Sequence, residues 1–413
     1  MDKVVLAYSG GLDTSVAIKW IADQYNLEVV TFTANLGQER DLEPIRRRAL
    51  DVGAVDAHVT DARRMFVDQF VWPALQAGAV YEDAYYLATA LGRPLISWLM
   101  VELAHEIGAT AVAHGSTGKG NDQVRFDVSI MTLDPDLKII APMREWSMNR
   151  DQEIAYAAEH GIEIPVTKES PYSTDENLWG RSIEAGILED AWNEPPTDVY
   201  EWTVDPATAP DKPAYVEIAF EHGIPTALDG EPLDGVDLIQ RLHDLGGAHG
   251  VGRTDHVENR LIGIKSREIY EQPAATVLHT AHRALETMTL SREQERFKRL
   301  VSHEYARMVY DGLWFSGLHR ELSAYIQINQ KNVNGSVRVK LYKGDCAVVG
   351  RKSDDALYRE ELATYGEDDT FDHEAAIGFI KLHGLSQQTQ ARLQLGAAGP
   401  APVLPRPDND DPA

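Results

Sequence analysis

The chain has 413 residues, 43% of them apolar, which is enough for more than one hydrophobic core and points to two domains. It carries 65 acidic against 39 basic residues, a net charge of −26, which disfavours nucleic-acid partners because these are bound by neutralising phosphates. The single cysteine, Cys346, excludes an internal disulfide and a paired-cysteine metal or redox site, and no apolar run approaches the roughly 18 residues of a membrane span.

The opening MDKVVLAYSGG becomes a strand pattern at once and leaves no room for a signal peptide, so a reducing cytoplasm is the expected location. KVVLAY (3–8) reads as a buried strand, and TSVAIKWIADQY (14–25) as a helix with Val16, Ala17, Trp20 and Ile21 on one face. LEVVTFTA (27–34), VDAHVTDA (55–62), TAVAHG (110–115) and KIIAPM (138–143) read as further strands, with a helix over 41–53. Short strands separated by helices predict an α/β, doubly wound parallel sheet covered on both faces. Ligands of such sheets sit at the C-terminal strand ends, where AYSGG, TANLG and HGSTGKG all fall.

The pattern changes after about residue 165, and the domain boundary is placed near residue 167. The stretch 164–182 is loop-rich, and 193–213 is a Pro-rich connection. A hairpin is expected about His222-Gly223, amphipathic helices over 273–290 and 291–314, and strands joined at Asn334-Gly335. Residues 395–413, rich in Pro, Ala and Asp, read as a disordered tail.

Between the first strand and helix lies SGGLDTS (9–15). Unpaired amides at a helix N-terminus attract anions, and Gly10 and Gly11 let backbone approach a phosphate. Ser9, Thr14 and Ser15 add hydroxyl donors. Asp13 fits beside phosphate only as a helix cap or through a metal ion, most simply Mg²⁺. The loop is neither a Walker A motif nor GxGxxG, and by itself it reads equally as a glycine turn before a capped helix.

SGGLDTS after a first strand resembles the PP-loop of the ATP pyrophosphatase group. Members cleave ATP between the α- and β-phosphates, adenylate a substrate oxygen, and let a nucleophile displace AMP. The resemblance is tested by nucleophile. Sulfur transfer uses a cysteine pair, and Cys346 stands alone. Amidotransferase members carry a nucleophilic cysteine in a glutaminase domain, and here Asp2 follows Met1. A ligase of small molecules remains.

A second constellation, HGSTGKGNDQVRFD (114–127), packs glycines, hydroxyls, Asn121, Asp122 and Arg125 after a strand. These groups suit an amino acid, with Arg125 able to fork onto a carboxylate; a polar loop with a cap at Asn121 or Asp122 is the plainer alternative. The block resembles the argininosuccinate synthase family. The likeness continues through YEDAYYLATALGRPLI (81–96), SPYSTDENLWGRSIEAGILED (170–190) and GRTDHVENRLIGIKSREIYE (252–271), covering roughly residues 3–390.

The resemblance implies ligation of citrulline and aspartate with ATP, giving argininosuccinate, AMP and pyrophosphate. It implies ATP contacts at Ala7, Tyr8, Ser9, Gly10, Gly11, Leu12, Asp13, Thr14, Ser15, Ala34 and Gly115. Aspartate would be held by Thr117, Asn121 and Asp122, and citrulline by Tyr85, Thr89, Asn121, Arg125, Ser173, Ser182, Glu258 and Tyr270. Asp13, Asp122 and Arg125 are the expected catalytic groups, with Mg²⁺ carried mainly on ATP and its protein ligands unassigned. It also implies an ATP-binding domain over 1–167, an α+β synthetase and multimerisation domain over 168–394 with a helical C-terminal region, and a homotetramer, with no nucleic-acid or membrane partner.

Singly, several of these residues have plainer roles. Tyr85 and Tyr270 suit packing, Ser173 and Ser182 suit turns and caps, and Glu258 suits an ion pair with Arg260 or Arg267. Three positions depart from the family pattern: Gly92 replaces an Ala, Ala90 lacks a hydroxyl found in some members, and His256 stands where an apolar residue is common.

Overall fold

The structure, a computed structural model, describes residues 2–38, 41–146, 148, 150–162 and 172–394. The boundary near residue 167 and the tail 395–413 lie outside the described residues. The chain forms two units, Met1–Leu357 and Tyr358–Ala413.

The first unit begins with β1 (Lys3–Ala7), α1 (Leu12–Tyr25), β2 (Glu28–Asn35), α2 (Leu42–Val52) and β3 (Asp56–Asp61), each within two residues of its expected range. Short helical pieces at Arg63–Phe66, Val67–Val71 and Trp72–Ala77 lead to a long helix, α3 (Ala88–Ile107). Then come β4 (Ala111–Ala113), α4 (Asp122–Leu133), β5 (Lys138–Ile140) and α5 (Arg150–Glu159). The five strands are parallel in the order β3-β2-β1-β4-β5. Along β1, Val5 belongs to one hydrophobic core while Val4 and Leu6 belong to another, so both faces of the sheet are covered. The strand order reverses beside β1, which opens a crevice at its C-terminal end.

The rest of the unit is α+β: β6 (Ser173–Asn177), β7 (Gly180–Glu184), β8 (Ala214–Glu221), β9 (Ile224–Leu228), β10 (Glu231–Pro232), α6 (Gly235–Ala248), β11 (Arg253–Asn259), β12 (Lys265–Glu271), α7 (Pro273–Thr289), α8 (Arg292–Tyr310), α9 (Gly317–Asn329), β13 (Gly335–Tyr342) and β14 (Asp345–Lys352). One antiparallel sheet runs β11-β12-β7-β6 and the other β10-β9-β8-β13-β14.

Two expectations are corrected here. The loop-rich stretch contains β6 and β7, polar strands whose pairing is imposed by β12: Tyr270 lies opposite Ser182, which lies opposite Asp175. His222-Gly223 does turn a hairpin, at φ +52° and +76°, but β13 and β14 turn at Lys343-Gly344 rather than at Asn334-Gly335. Gly335 instead starts β13, where a Cβ would sit 2.2 Å from the Lys352 carbonyl oxygen. Helix α7, expected as an amphipathic helix over 273–290, buries one face in the core, with Val277, Leu278, Ala281 and Leu285 fully buried. Helix α8 opens with a capping box at Ser291 and Gln294.

Glu271 anchors the connection before β8 to β12. Its fully buried carboxylate accepts from Arg181 Nη1 at 2.9 Å, from the Glu201, Trp202 and Thr203 amides at 2.9–3.0 Å, and from Thr203 Oγ1 at 2.7 Å. Glu271→Gln is expected to lower unfolding free energy by about 2 kcal/mol, read from the urea midpoint at unchanged m-value.

The second unit holds α10 (His373–His383) and α11 (Leu385–Leu393). Ile377, Phe379, Ile380, Leu382, Leu385 and Leu393 on them are 55–78% exposed.

Candidate active site

The glycine loop occupies the crevice. Gly10 takes φ +79°, a conformation suited to glycine, and its carbonyl accepts from Arg48 Nη1 at 2.5 Å. Gly11 is the N-cap of α1 and makes no side-chain cap bond, so Asp13 is a first-turn residue and not a cap. Ser9 Oγ lies 3.2 Å from Thr14 Oγ1 and accepts from the Gly11 amide at 3.4 Å. Ser15 turns inward to the Tyr8 hydroxyl at 3.0 Å, and Leu12 packs on the core. Beside the loop lies a cavity of about 380 Å³ lined by Ala7, Tyr8, Ser9, Thr14, Ala34 and Gly115 among others. A Cβ on Gly115 would come within 2.8 Å of Thr14 Cγ2, so glycine there lets the two loops meet. Glu153 of α5 hydrogen-bonds Asp13; burial, then the Asp13 charge, push its carboxyl up to about 7.

The second loop is held from below by His114. Its Nδ1 accepts from the Ser116 amide at 3.2 Å, which leaves Nε2 to donate to Asp127 Oδ1 at 2.7 Å. Thr117 is exposed at the loop tip. Asn121 makes no cap bond: its Nδ2 donates to the Tyr310 hydroxyl at 2.8 Å and its Oδ1 accepts from the Leu261 amide at 2.9 Å. Asp122 accepts from Arg93 Nε and Nη2 at 3.0 and 2.8 Å and from Arg125 Nη1 at 2.8 Å. Burial raises the Asp122 pKa, but the two guanidinium charges outweigh that and hold it below the usual carboxylate value. Such a group orients a neighbour well and accepts a proton poorly.

A clamp of aromatic and charged groups adjoins this loop. Glu258 is buried and accepts from the Tyr270 and Tyr310 hydroxyls, both at 2.5 Å. Arg260 and Arg267, the partners weighed from sequence, pair instead with Glu184 and Glu268 and with Asp255. Among the described residues Glu258 has no cationic partner within ion-pair distance. Arg125 is paired with Asp122 through Nη1 yet keeps a spare donor. Its Nε donates to the Tyr310 carbonyl at 2.9 Å and its guanidinium lies over the Tyr310 ring, while its buried Nη2 has no hydrogen-bond partner among the described residues. Tyr85 stacks on Tyr270 with ring centroids 4.4 Å apart, and its hydroxyl accepts from the Thr89 amide at 2.8 Å. Burial pushes the Tyr85 phenol up to about 12, so it stays neutral.

Most sequence-derived residues therefore converge. Ser182 Oγ reaches the Asp175 carbonyl at 3.4 Å, whereas Ser173 is exposed at the start of β6. Sequence reasoning missed Arg48, Arg93 and Tyr310. Arg93 bridges Asp122 and Asp175 and lines the nucleotide-side cavity. It lies four residues after Thr89 in α3, a spacing that places both on one helix face. Tyr310 ends α8 far from any motif and carried no sequence signal. Gly92 is also accounted for, since a Cβ there would meet Leu36 Cδ1 at 3.0 Å.

Glu268, buried behind the clamp, is pushed up to about 7 by burial and by the Glu184 charge. The native state then holds more protons than the unfolded chain between 4.5 and about 7, so stability falls as pH rises through that window. Glu268→Gln is expected to flatten that slope, read from urea midpoints measured across the window.

A glycine loop at the switch point of a parallel sheet, with a clamp of opposed charges adjoining it, is the arrangement of a PP-loop, HUP-type nucleotide-binding fold. Residues 3–163 match the family description "Arginosuccinate synthase N-terminal HUP domain", and 172–390 match "Arginosuccinate synthase C-terminal domain". The chain is 56% identical to "Argininosuccinate synthase" from Dehalococcoides mccartyi (strain ATCC BAA-2266 / KCTC 15142 / 195), covering 95% of this chain and 97% of that protein. It is 56% identical to the protein of the same name from Symbiobacterium thermophilum (96% and 99% covered) and 54% to that from Chlorobium limicola (96% and 99%). The chain belongs to the argininosuccinate synthase family, ligases of arginine biosynthesis.

Proposed function

We propose that the chain joins L-citrulline and L-aspartate through a citrullyl-AMP intermediate, releasing AMP and diphosphate. The observation that carries this reading is the pairing of a buried Glu258 carboxylate lacking a cation with a buried Arg125 Nη2 lacking an acceptor. They complement the ammonium and carboxylate of one α-amino acid. Tyr85, Thr89, Asn121, Ser173, Ser182 and Tyr270 complete that citrulline site, and Thr117, Asn121 and Asp122 hold aspartate.

The ureido oxygen of citrulline attacks the α-phosphorus of ATP, and diphosphate leaves. Charge growing on the leaving group is met by the α1 N-terminal amides and the Ser9 and Thr14 hydroxyls. Mg²⁺ carried on the ATP phosphates would meet Asp13, the acidic residue of the loop, and neutralise part of their charge. Among the described residues no group of three or more His, Cys, Asp or Glu could hold a metal ion. Aspartate's neutral α-amine then attacks the ureido carbon and expels AMP. Asp122 orients that amine, and positioning supplies much of the rate.

In this reading residues 1–167 bind ATP, and 168–394 complete the amino-acid sites and multimerise. A cytoplasmic homotetramer would cover the apolar residues of α10 and α11. The net charge of −26 supports the absence of a nucleic-acid partner, and no helix among the described residues is long and apolar enough to cross a membrane.

The test is release of AMP and diphosphate from ATP and Mg²⁺, with citrulline and aspartate supplied singly and together. Rapid release of both products only with both amino acids, with argininosuccinate seen by mass spectrometry, supports the reading. Release that depends on another amine overturns the substrate assignment.

A further inference from the structure

The turn joining β11 to β12 touches two separate loops of the site. On one side Arg260 Nη1 donates to the Lys119 carbonyl at 3.3 Å, and the Leu261 amide donates to Asn121 Oδ1 at 2.9 Å. Arg260 is itself fixed: Nε donates to Ser266 Oγ at 2.7 Å, and Nη2 donates to Glu268 Oε1 at 2.8 Å and to Glu184. On the other side the Asn259 amide and Nδ2 donate to the Glu82 carboxylate at 3.2 and 2.5 Å. His256 Nε2 lies 3.0 Å from Glu82 Oε2, and the Tyr81 hydroxyl donates to the Asn259 carbonyl at 2.9 Å.

Both loops need such support. Glu82 and Asp83 take φ of +49° and +59°, left-handed values that side chains disfavour and that persist only when surroundings impose them. The loop at 117–120 has no helix or strand of its own and is tied by the Gly120 amide to the Thr117 carbonyl and by Gln123 to the Gly118 carbonyl.

We propose that the Asn259–Leu261 turn is a two-armed positioning element: Arg260 sets the 117–122 loop for aspartate, while Asn259 and His256, acting through Glu82, set the 81–85 turn for citrulline. The inference rests on the site reading given under Proposed function. None of these four side chains touches a substrate in that reading; each acts through another residue. The arms share a turn but no donor, so each is separable by mutation. His256, a departure from the family pattern, belongs to the citrulline arm.

The experiment is steady-state kinetics with each substrate varied in turn, for Arg260→Gln, Glu82→Gln, His256→Leu and Thr117→Val. Arg260→Gln is expected to raise KM for aspartate about tenfold with KM for citrulline within about twofold. Glu82→Gln is expected to do the reverse, and His256→Leu to follow it more weakly. Arg260→Lys keeps the charge but not the fork and is expected to restore little. Because Arg260→Gln strands Glu268, the pair Arg260→Gln/Glu268→Gln is measured beside it, and the aspartate effect is expected to persist. Variants that move all KM values together, or none, while Thr117→Val raises KM for aspartate, overturn the two-armed proposal. A Thr117→Val enzyme with unchanged KM for aspartate overturns the site reading instead, and this inference with it.

Discussion

Asp122→Asn is expected to lower kcat/KM for aspartate-dependent AMP release by about three orders of magnitude. The carboxylate sits between Arg93 and Arg125, with side-chain exposures of 17% and 4%, and is the ion-pair partner they share. Removing its charge leaves two largely buried guanidinium groups short of a counter-charge, a change of about 3–5 kcal/mol. Arg125 would then be free to turn from the citrulline carboxylate, and Arg93 to fall back on Asp175. Ser291→Ala, which removes the α8 cap, is the comparison. It is expected to cost about 1 kcal/mol of stability with kcat/KM unchanged. Rates of AMP release for both variants at saturating ATP and citrulline check this. Equal losses would remove Asp122 from the machinery.

Glu258→Gln is expected to raise KM for citrulline about a hundredfold while KM for ATP moves little. The side chain keeps its shape: its Oε1 can accept from one of the two tyrosine hydroxyls while its Nε2 donates to the other hydroxyl oxygen, so the clamp stays packed. What is lost is the negative charge that would meet an ammonium in a buried setting. The loss lies in binding, so kcat at saturating citrulline should fall far less than kcat/KM. Calorimetric titration of citrulline into the variant separates this from a folding defect. Binding of unaltered affinity would show that the ammonium lies elsewhere.

How far the sequence carries the structure depends on what each stretch must bury. The parallel sheet was readable because β1, β2 and β4 are apolar runs buried on both faces, and their ends were marked by glycines. The β6–β7 and β11 strands were not. Ser-Thr-Asp-Glu-Asn and Arg-Thr-Asp-His-Val-Glu-Asn are polar because they carry or support the site, and their strand character comes from neighbours in the sheet. The same holds for individual groups. Glu258 and Arg125 could be named from a motif, but not the fact that, among the described residues, Glu258 meets no cation and Arg125 Nη2 no acceptor, which is a property of packing. Arg93 and Tyr310 act through contacts with residues far away in the chain, and no local pattern reports them.

The core that holds Val5 of β1 also holds Val216 of β8 and Leu341 of β13. During synthesis the first of these leaves the ribosome long before the last. Helix α3 covers the sheet face that carries Val5, and the outer side of that helical layer is met by α7, α8 and α9. That outer side therefore stays wet until most of the first unit has been translated, and a nascent chain that exposes it is prone to aggregate.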